Sequence, residues 1–458
     1  MKFDVIVIGG GSAGYAAART AADLGAKVAI VDKGPLGGLC ILRGCMPSKA
    51  LLRSSDIMAL MRRAGEFGLA ASGLKADLAA IADRKKALVK EFADYRIQQL
   101  KNPRFKLIRG RARFESPRRV RVGADTLQAE SVIIATGSVP RHVPIPGLDE
   151  VGYITSDEAL SLRKLPKSMV VLGAGPVATE LGQFFCRLGV RTTLIQRSSH
   201  IHSACDEDMA RPVEARLREE GMAVYTGAKL TRFTKKNGRT TTHFLQGGRR
   251  RRASAETVFQ ALGRVPNIKS LNLSKAGVDV ENGRILVDNQ MRTSAKNVFA
   301  VGDCVGTYEI VHIAIQQGEI AGHNAVLETP KKTMDYRLRA SVVFTDPQVA
   351  SVGLLEKECR QQRIDYLVAK YPFNDHGKSM IAGETHGFVK ILCDPKTGEI
   401  LGGHIVGPEA SELFHELIAI MYFQGTVRDL AHIPHYHPTL AEILTYPAEE
   451  LAQQIPQR

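Results

Sequence analysis

Two cysteines stand five positions apart in the run Gly37-Gly38-Leu39-Cys40-Ile41-Leu42-Arg43-Gly44-Cys45-Met46-Pro47-Ser48-Lys49. A disulfide needs its Cα atoms within roughly 7 Å, and five steps of regular helix rise about 7.5 Å. The segment between Cys40 and Cys45 must therefore bend, and Gly44 permits it. Pro47 suits the first turn of a helix, where no i−4 partner is lost. Cys45 then falls at or near a helix N-terminus, where the positive dipole end favours a thiolate. A bent disulfide with a stabilised thiolate fits reversible redox exchange. On spacing alone, two unrelated buried thiols or half a metal site fit as well. A second chemical group is His435-Tyr436-His437-Pro438-Thr439-Leu440-Ala441-Glu442. A histidine five residues before a glutamate suits an oriented general base. Taken alone, the stretch reads more readily as a surface histidine cluster ahead of a capped helix.

The elements around these groups are read from pattern. Asp4 to Ile8 is a buried strand, followed by Gly9-Gly10-Gly11-Ser12-Ala13-Gly14, an Ala-rich helix to about Leu24, and a strand from Lys27 to Val31 ending at Asp32. Strand, Gly-x-Gly-x-x-Gly, helix, strand and acid together make a dinucleotide fingerprint. Gly9 makes the tight turn, Gly11 admits a pyrophosphate, Gly14 lets helix and strand pack, and Asp32 accepts from ribose hydroxyls. Ser12 and Lys33 are counted with this site. Helices are expected from about Ser48 to Gly65 and Leu78 to Leu100, and strands near Phe105–Ile108 and Val120–Val122. Ser131 to Gly137 reads as an apolar strand ending in a small-residue turn, and Pro140 to Gly147 as a linker.

A second fingerprint opens with the strand Met169 to Leu172. Gly173-Ala174-Gly175-Pro176-Val177-Ala178 is its turn, and the helix runs through Glu180 to about Leu188. The next strand, Arg191 to Ile195, ends at Gln196-Arg197, where an NAD site usually carries an acid. An acid repels a 2′-phosphate and an arginine attracts it, so this end favours NADP over NAD. Gly263 is counted with this second site. Two dinucleotide sites in one chain argue for two electron carriers, a flavin and a nicotinamide. Asn297 to Asp303 is another strand running into Gly-Asp, whose Asp303 can bond a sugar-alcohol hydroxyl. From about Tyr336, strands at Ala340–Phe344, Gly387–Leu392 and Ile400–Val406 precede a helix at Ser411–Phe423, an α+β region without a cofactor signature.

Length and composition bound the class. The 458 residues suggest two to four domains, and a 44% hydrophobic content supports large cores. Seven cysteines are too few for a secreted disulfide scaffold, and only Cys40 and Cys45 have informative spacing. The apolar run after Met1-Lys2 is too short for a signal peptide, and no run of about 20 apolar residues exists. A soluble, cytoplasmic protein is expected. The net charge of +15 suggests anionic partners through steering. Arg249 to Arg252, after Gly247-Gly248, and Lys235-Lys236, before the hairpin signal Asn237-Gly238, read as solvated loops on a sheet. No aromatic residues interleave the basic run, so nucleic acid is not an expected partner. No metal site is expected.

These pieces, in this order and over nearly the whole chain, resemble the class I pyridine-nucleotide disulfide oxidoreductases. The marks are Gly9–Gly14, the Cys40/Cys45 pair with Pro47-Ser48-Lys49, Gly173–Glu180, and His437-Pro438-Thr439 with Glu442. The resemblance implies an α/β chain with two Rossmann-like domains and a C-terminal α+β dimerisation domain. Residues 1–150 would form the first part of an FAD domain, 151–268 an NAD(P) domain, 269–335 the return to the FAD domain, and 336–458 the interface domain. It implies Cys45 as the thiol nearer the flavin and Cys40 as the one exchanging with substrate. His437 would be the base, oriented by Glu442 and reaching the partner subunit's disulfide, so that a homodimer shares its active sites. Lys49 and Glu180 would pair beside the flavin, and Thr136, Gly137 and Asp303 would lie along the FAD.

Within the family, the motif from His437 to Glu442 looks most like dihydrolipoyl dehydrogenase, with lipoamide as substrate. Mercuric reductases and large thioredoxin reductases carry a C-terminal redox cysteine pair, and no cysteine follows Cys393 here. An NADPH-dependent reductase of a glutathione-type disulfide, a metal ion or a quinone is the alternative, and a flavoprotein used chiefly for binding is a remote one. Three places depart from the family pattern: Leu39 before the first cysteine, Ile41-Leu42-Arg43 between the pair, and Gln196. Arg43 could depress a thiol pKa, draw an anionic substrate, or point to solvent. The basic surface would suit an acidic lipoyl-bearing domain as partner.

Overall fold

A computed structural model describes residues 1–456, which fall into two units. The first comprises Met1–Ala50, Ala80–His142 and Gly263–Asp335. Its sheet is built outward from Lys2–Ile8, whose Val5, Ile6 and Val7 have no exposed surface. A strand this apolar on both faces belongs in the middle of a parallel sheet. Val28–Asp32 and then Phe105–Arg109 lie parallel on one side, and Asp125–Ile134 lies parallel on the other. The last strand is shared along its length. Its start pairs antiparallel with Arg119–Val122, which pairs in turn with Ala112–Ser116, and its end pairs parallel with Val298–Ala300. The segment returning after residue 263 thus completes the sheet begun at residue 2.

Helix Ser12–Asp23 leaves the first strand through the glycine turn and is faced by helix Val311–Val326. Small residues set their approach. A Cβ on Gly318 would stand 2.3 Å from the Ala13 carbonyl oxygen, and one on Gly322 would stand 2.4 Å from that of Ala17. The two glycines are one helical turn apart, as are the two alanines, so the backbones touch along a seam.

The second unit comprises Leu51–Ala79, Val143–Leu262 and Tyr336–Arg458. Its parallel sheet has the order Ala223–Tyr225, Arg191–Ile195, Ser168–Leu172, Thr257–Gln260. Ala228–Lys236, Arg239–Gln246 and Arg249–Ala255 form an antiparallel ribbon. Its turns are Asn237-Gly238 and Gly247-Gly248, all at positive φ, as the paired-glycine hairpin signals require. Arg249 to Arg252 are exposed as expected, but they lie in the third strand rather than in a loop. Arg250, Arg251 and Arg252 face Leu245, Phe244 and His243, so pairing with an apolar neighbour overrides the low strand preference of a charge run.

The C-terminal part is a five-stranded antiparallel sheet in the order Ala340–Val343, Gln348–Gly353, Ile400–Gly407, Phe388–Cys393, Leu367–Pro372. Helix Ala410–Tyr422 covers it, with Phe414, Leu417 and Met421 packed against Val352, Ile391 and Ile405. Among the described residues no helix is long and apolar enough to cross a membrane.

Candidate active site

The cysteine segment bends where expected. Helix Gly38–Arg43 carries Cys40, Gly44 breaks the path at φ −131° and ψ −117°, and Cys45 opens helix Cys45–Arg62. The Ser48 hydroxyl donates to the Gly44 and Cys45 carbonyls at 2.9 and 3.1 Å, which latches the break. The backbone N–H of Ser48 reaches the Gly44 carbonyl too, so Pro47 in this turn costs no bond. The two cysteines are not joined as a disulfide; both are half-buried and in hydrogen-bond reach of each other. That contact, reinforced by burial and by charge on Cys45, pushes the Cys40 thiol well up, while the Lys49 ammonium works in the opposite direction. Arg43 is exposed.

The first fingerprint has the tolerances of a phosphate cradle. A Cβ on Gly9 would lie 2.2 Å from the Ala135 carbonyl oxygen, and one on Gly14 would lie 1.8 Å from that of Gly9. Gly38, at φ +79°, brings the cysteine loop against the turn, since a Cβ there would stand 2.7 Å from Gly11 Cα. Helix Ser12–Asp23 starts at Gly11 without a side-chain cap, so its first N–H groups are available to an anion. The Asp32 carboxylate accepts from the N–H of Gly10 at 2.7 Å and of Gly34 at 2.5 Å, which holds it at the end of its strand; Lys33 beside it is exposed.

Further along, Ser138 links Asp303 to Arg264. The serine hydroxyl donates to Asp303 at 2.6 Å and accepts from Arg264 at 2.8 Å. The carbonyls of Thr136 and Gly137 accept from the side chain and backbone of Asn267. Arg96 lies with its guanidinium 4.4 Å over the Tyr15 ring, and its buried Nε and Nη1 have no hydrogen-bond partner among the described residues. A cation with open hydrogen-bond donors beside the fingerprint helix, together with the glycine cradle, fits a dinucleotide diphosphate. These residues fit FAD.

At the second fingerprint, a Cβ on Gly173 would be 2.6 Å from the Ala261 carbonyl oxygen, whereas one on Gly175 would meet nothing within 4 Å. Gly175 caps helix Pro176–Arg187 without a side-chain bond, Pro176 takes the first position, and Ala178 packs inside. That open approach fits a second diphosphate. Gln196 is half-buried, and its Oε1 accepts from the Arg197 N–H at 3.1 Å, while the Arg197 side chain is exposed. Glu180 is buried and its Oε1 accepts from the Phe344 N–H at 3.0 Å. Lys49 belongs to the first unit and Glu180 to the second. Gly263, grouped with the second fingerprint from sequence, falls in the first unit at the start of the return segment, where its carbonyl accepts from the Arg141 N–H.

The histidine stretch is organised by the turn Ala441–Leu444, which leads into helix Thr445–Gln454. The Glu442 side chain is largely buried. Its Oε2 lies 3.0 Å from His437 Nδ1, and the His437 side chain is 80% exposed. A carboxylate on Nδ1 fixes the tautomer that leaves Nε2 free to take a proton. His435 is turned elsewhere, with Nε2 2.8 Å from Glu416 Oε1. Among the described residues one carboxylate trio, Asp206, Asp208 and Glu356, is close enough to share an ion. The buried Lys390 ammonium fills it, at 2.9, 3.0 and 3.1 Å.

Sequence reasoning missed Arg96, Ser138 and Arg264, each of which lies outside any fingerprint. It also missed the buried His376, 3.3 Å from Glu442. A lone histidine 66 positions before its carboxylate carries no local signal.

Comparison with known proteins adds the following. A family model described as pyridine nucleotide-disulphide oxidoreductase matches residues 3–318, and the dimerisation-domain model of the same name matches residues 339–448. A dihydrolipoyl dehydrogenase of Thermus scotoductus is 37% identical over 99% of this chain and 98% of its own. A mercuric reductase of Staphylococcus aureus is 33% identical over 96% of this chain and 81% of its own. The HOCl-induced flavoprotein disulfide reductase RclA from Escherichia coli superposes with a TM-score of 0.86 at 25% identity, over 97% of this chain and 99% of that one.

Proposed function

The chain belongs to the pyridine nucleotide-disulphide oxidoreductase family, and on that premise we propose that it exchanges electrons between a nicotinamide and a small dithiol or disulfide of the lipoamide type. The family is flavin-dependent and uses a pyridine nucleotide, and the dimerisation match supports a homodimer. The observation that carries the reading is the Cys40/Cys45 pair, side by side across a helix break and in hydrogen-bond reach of each other. Bound FAD would supply two-electron exchange between the nicotinamide and this pair, held by the glycines of the first fingerprint, Asp32, Asp303 and the Thr136-Gly137 turn.

In the dithiol-oxidising direction, His437 Nε2 of one subunit removes a proton from a substrate thiol. The thiolate attacks Cys40 Sγ of the other subunit's disulfide. A substrate–Cys40 bond forms, the Cys40–Cys45 bond breaks, and Cys45 leaves with the electron pair as a thiolate favoured by the helix N-terminus. The second substrate thiol, losing its proton to solvent, then attacks the substrate sulfur of the mixed disulfide. Cys40 leaves and takes back the proton held on His437. The dithiol is oxidised by two electrons, and the pair holds them as one thiol and one thiolate.

For the nucleotide, exposed Arg197 beside Gln196, with no acid at that strand end, supports NADPH over NADH. Relatives that reduce mercury have near-equal similarity, so a metal ion or another disulfide is the competing acceptor.

The test is anaerobic reduction of the flavin-loaded protein with NADH and NADPH in parallel, scored by flavin bleaching and by alkylatable thiols. Two additional thiols per chain are expected on reduction and none in Cys45→Ser. Oxidised lipoamide should then restore the flavin spectrum. Reoxidation by mercuric ion or glutathione disulfide, but not by lipoamide, would move the assignment to that acceptor.

A further inference from the structure

Glu442 has a second imidazole behind it. His376 follows the turn Phe373–Asp375 and is fully buried. Its Nδ1 lies 2.8 Å from the hydroxyl of Ser379, which is also fully buried, and its Nε2 lies 3.3 Å from Glu442 Oε1. Among the described residues Nε2 meets no other acceptor, and its contact with Glu442 is close in distance though not aligned as a hydrogen bond.

The tautomer follows from these partners. A ring with its proton on Nδ1 would turn a lone pair on Nε2 against a carboxylate oxygen, which is repulsive. A ring with its proton on Nε2 accepts from the Ser379 hydroxyl and presents N–H to Glu442. Burial keeps His376 below its ordinary value, with Glu442 pulling it up and the charge of His437 pushing it down, so the ring is neutral near pH 7. The Tyr446 ring stands edge-on to His376 at 6.2 Å and is stacked on Tyr371 at 4.2 Å.

We infer that His376 is a positioning residue for the exchange reaction: with Ser379 it holds the Glu442 carboxylate between two imidazoles so that its other oxygen orients His437. The inference rests on the dithiol chemistry proposed above and goes beyond the His–Glu pair. Its physical content is the second oxygen of Glu442. That carboxylate is largely buried, and without His376 its Oε1 would face no donor. Loss of a donor to the charged form favours the protonated acid. A protonated Glu442 no longer fixes the His437 tautomer.

The experiment is rapid mixing of the oxidised, flavin-loaded enzyme with dihydrolipoamide between pH 5.5 and 9, beside NAD(P)H-to-ferricyanide turnover, which does not use His437. His376→Leu should slow the dithiol-driven step about tenfold at pH 7 and move its acid limb up by about one unit. His376→Gln, which returns an N–H near the Nε2 position, should recover most of the rate and the wild-type limb. Ser379→Ala should move the limb in the same direction by less. Ferricyanide turnover should be unchanged in all three. Equal rates and limbs for the Leu and Gln variants, or an unmoved limb in Ser379→Ala, overturn the inference. His437→Ala separates the two levels. If it leaves the dithiol step intact, the proposed chemistry falls and takes the role of His376 with it; if it abolishes the step while His376→Leu behaves as wild type, only the inference falls.

Discussion

His404 shows what a single buried titratable side chain does to this protein. It sits in strand Ile400–Gly407 with no exposed surface, its Nδ1 2.7 Å from the Ser351 hydroxyl and its Nε2 3.0 Å from the Leu354 carbonyl. Burial, then the charge of Lys390, pushes it down to about 4 from an ordinary 6.5. Between those values the unfolded chain binds the extra proton and the native one does not, so stability rises with pH across that window. The contribution is full above about pH 6.5 and lost as the pH falls toward 4, on the order of 3 kcal/mol. Asp56, which burial raises to about 6, acts in the opposite sense, so the comparison must be made between variants. His404→Gln should have a shallower loss of urea midpoint between pH 6.5 and 4.5 than the wild type; parallel curves would refute the assignment. At this scale the sequence was partly legible. Cys40 with Cys45, and His437 with Glu442, could be singled out as candidates because each pair lies within one local segment. His376, Ser138 and Arg96 did not, because their partners are brought to them only by the fold.

Among the elements, the seam between helices Ser12–Asp23 and Val311–Val326 is the least forgiving. Gly318 and Gly322 each stand where a methyl group would overlap a backbone carbonyl of the facing helix, a neighbour that cannot rotate away. Gly322→Ala should push the helices apart and destabilise the first unit by roughly 1–3 kcal/mol. Because the seam starts at Ala13, inside the first fingerprint, the variant should also release flavin more readily on dilution. Lowered thermal stability with wild-type flavin retention would confine the effect to packing. Elements defined by their own residues could be read in advance: helix Leu78–Leu100 came out with the expected bounds, and Asn237-Gly238 marked its hairpin. Strands Gln348–Gly353 and Leu367–Pro372 were not anticipated, because short strands depend on the neighbours they pair with.

For the whole molecule, the feature to explain is how open the segment that matches the dimerisation domain is. His437 is largely exposed, and Phe423 and Tyr436 expose 81% and 83% of their surface in the segment that matches the dimerisation domain. Aromatic side chains this open on such a segment are suited to burial against a second copy. If the base and the disulfide come from different subunits, Cys45→Ser and His437→Ala chains should complement each other. Each is expected to lack dithiol turnover alone. Co-refolded in equal amounts, random pairing puts one intact site in half of the dimers, or about a quarter of wild-type activity. Activity no higher than that of the separate variants would place both groups in the same chain.

The seam and the shared strand also impose a schedule on synthesis. Helix Ser12–Asp23 is made long before the helix that covers it, which is complete only at Val326, and strand Val298–Ala300 closes the same sheet late. At about 5–20 residues per second that is a wait of roughly 15–60 s. During it Ala13 and Ala17 have no covering helix. The parallel sheet from Ser168 to Gln260 is continuous in sequence and can assemble within that interval. The nascent chain can therefore complete the sheet of the second fingerprint before that of the first, although the first fingerprint is translated earlier.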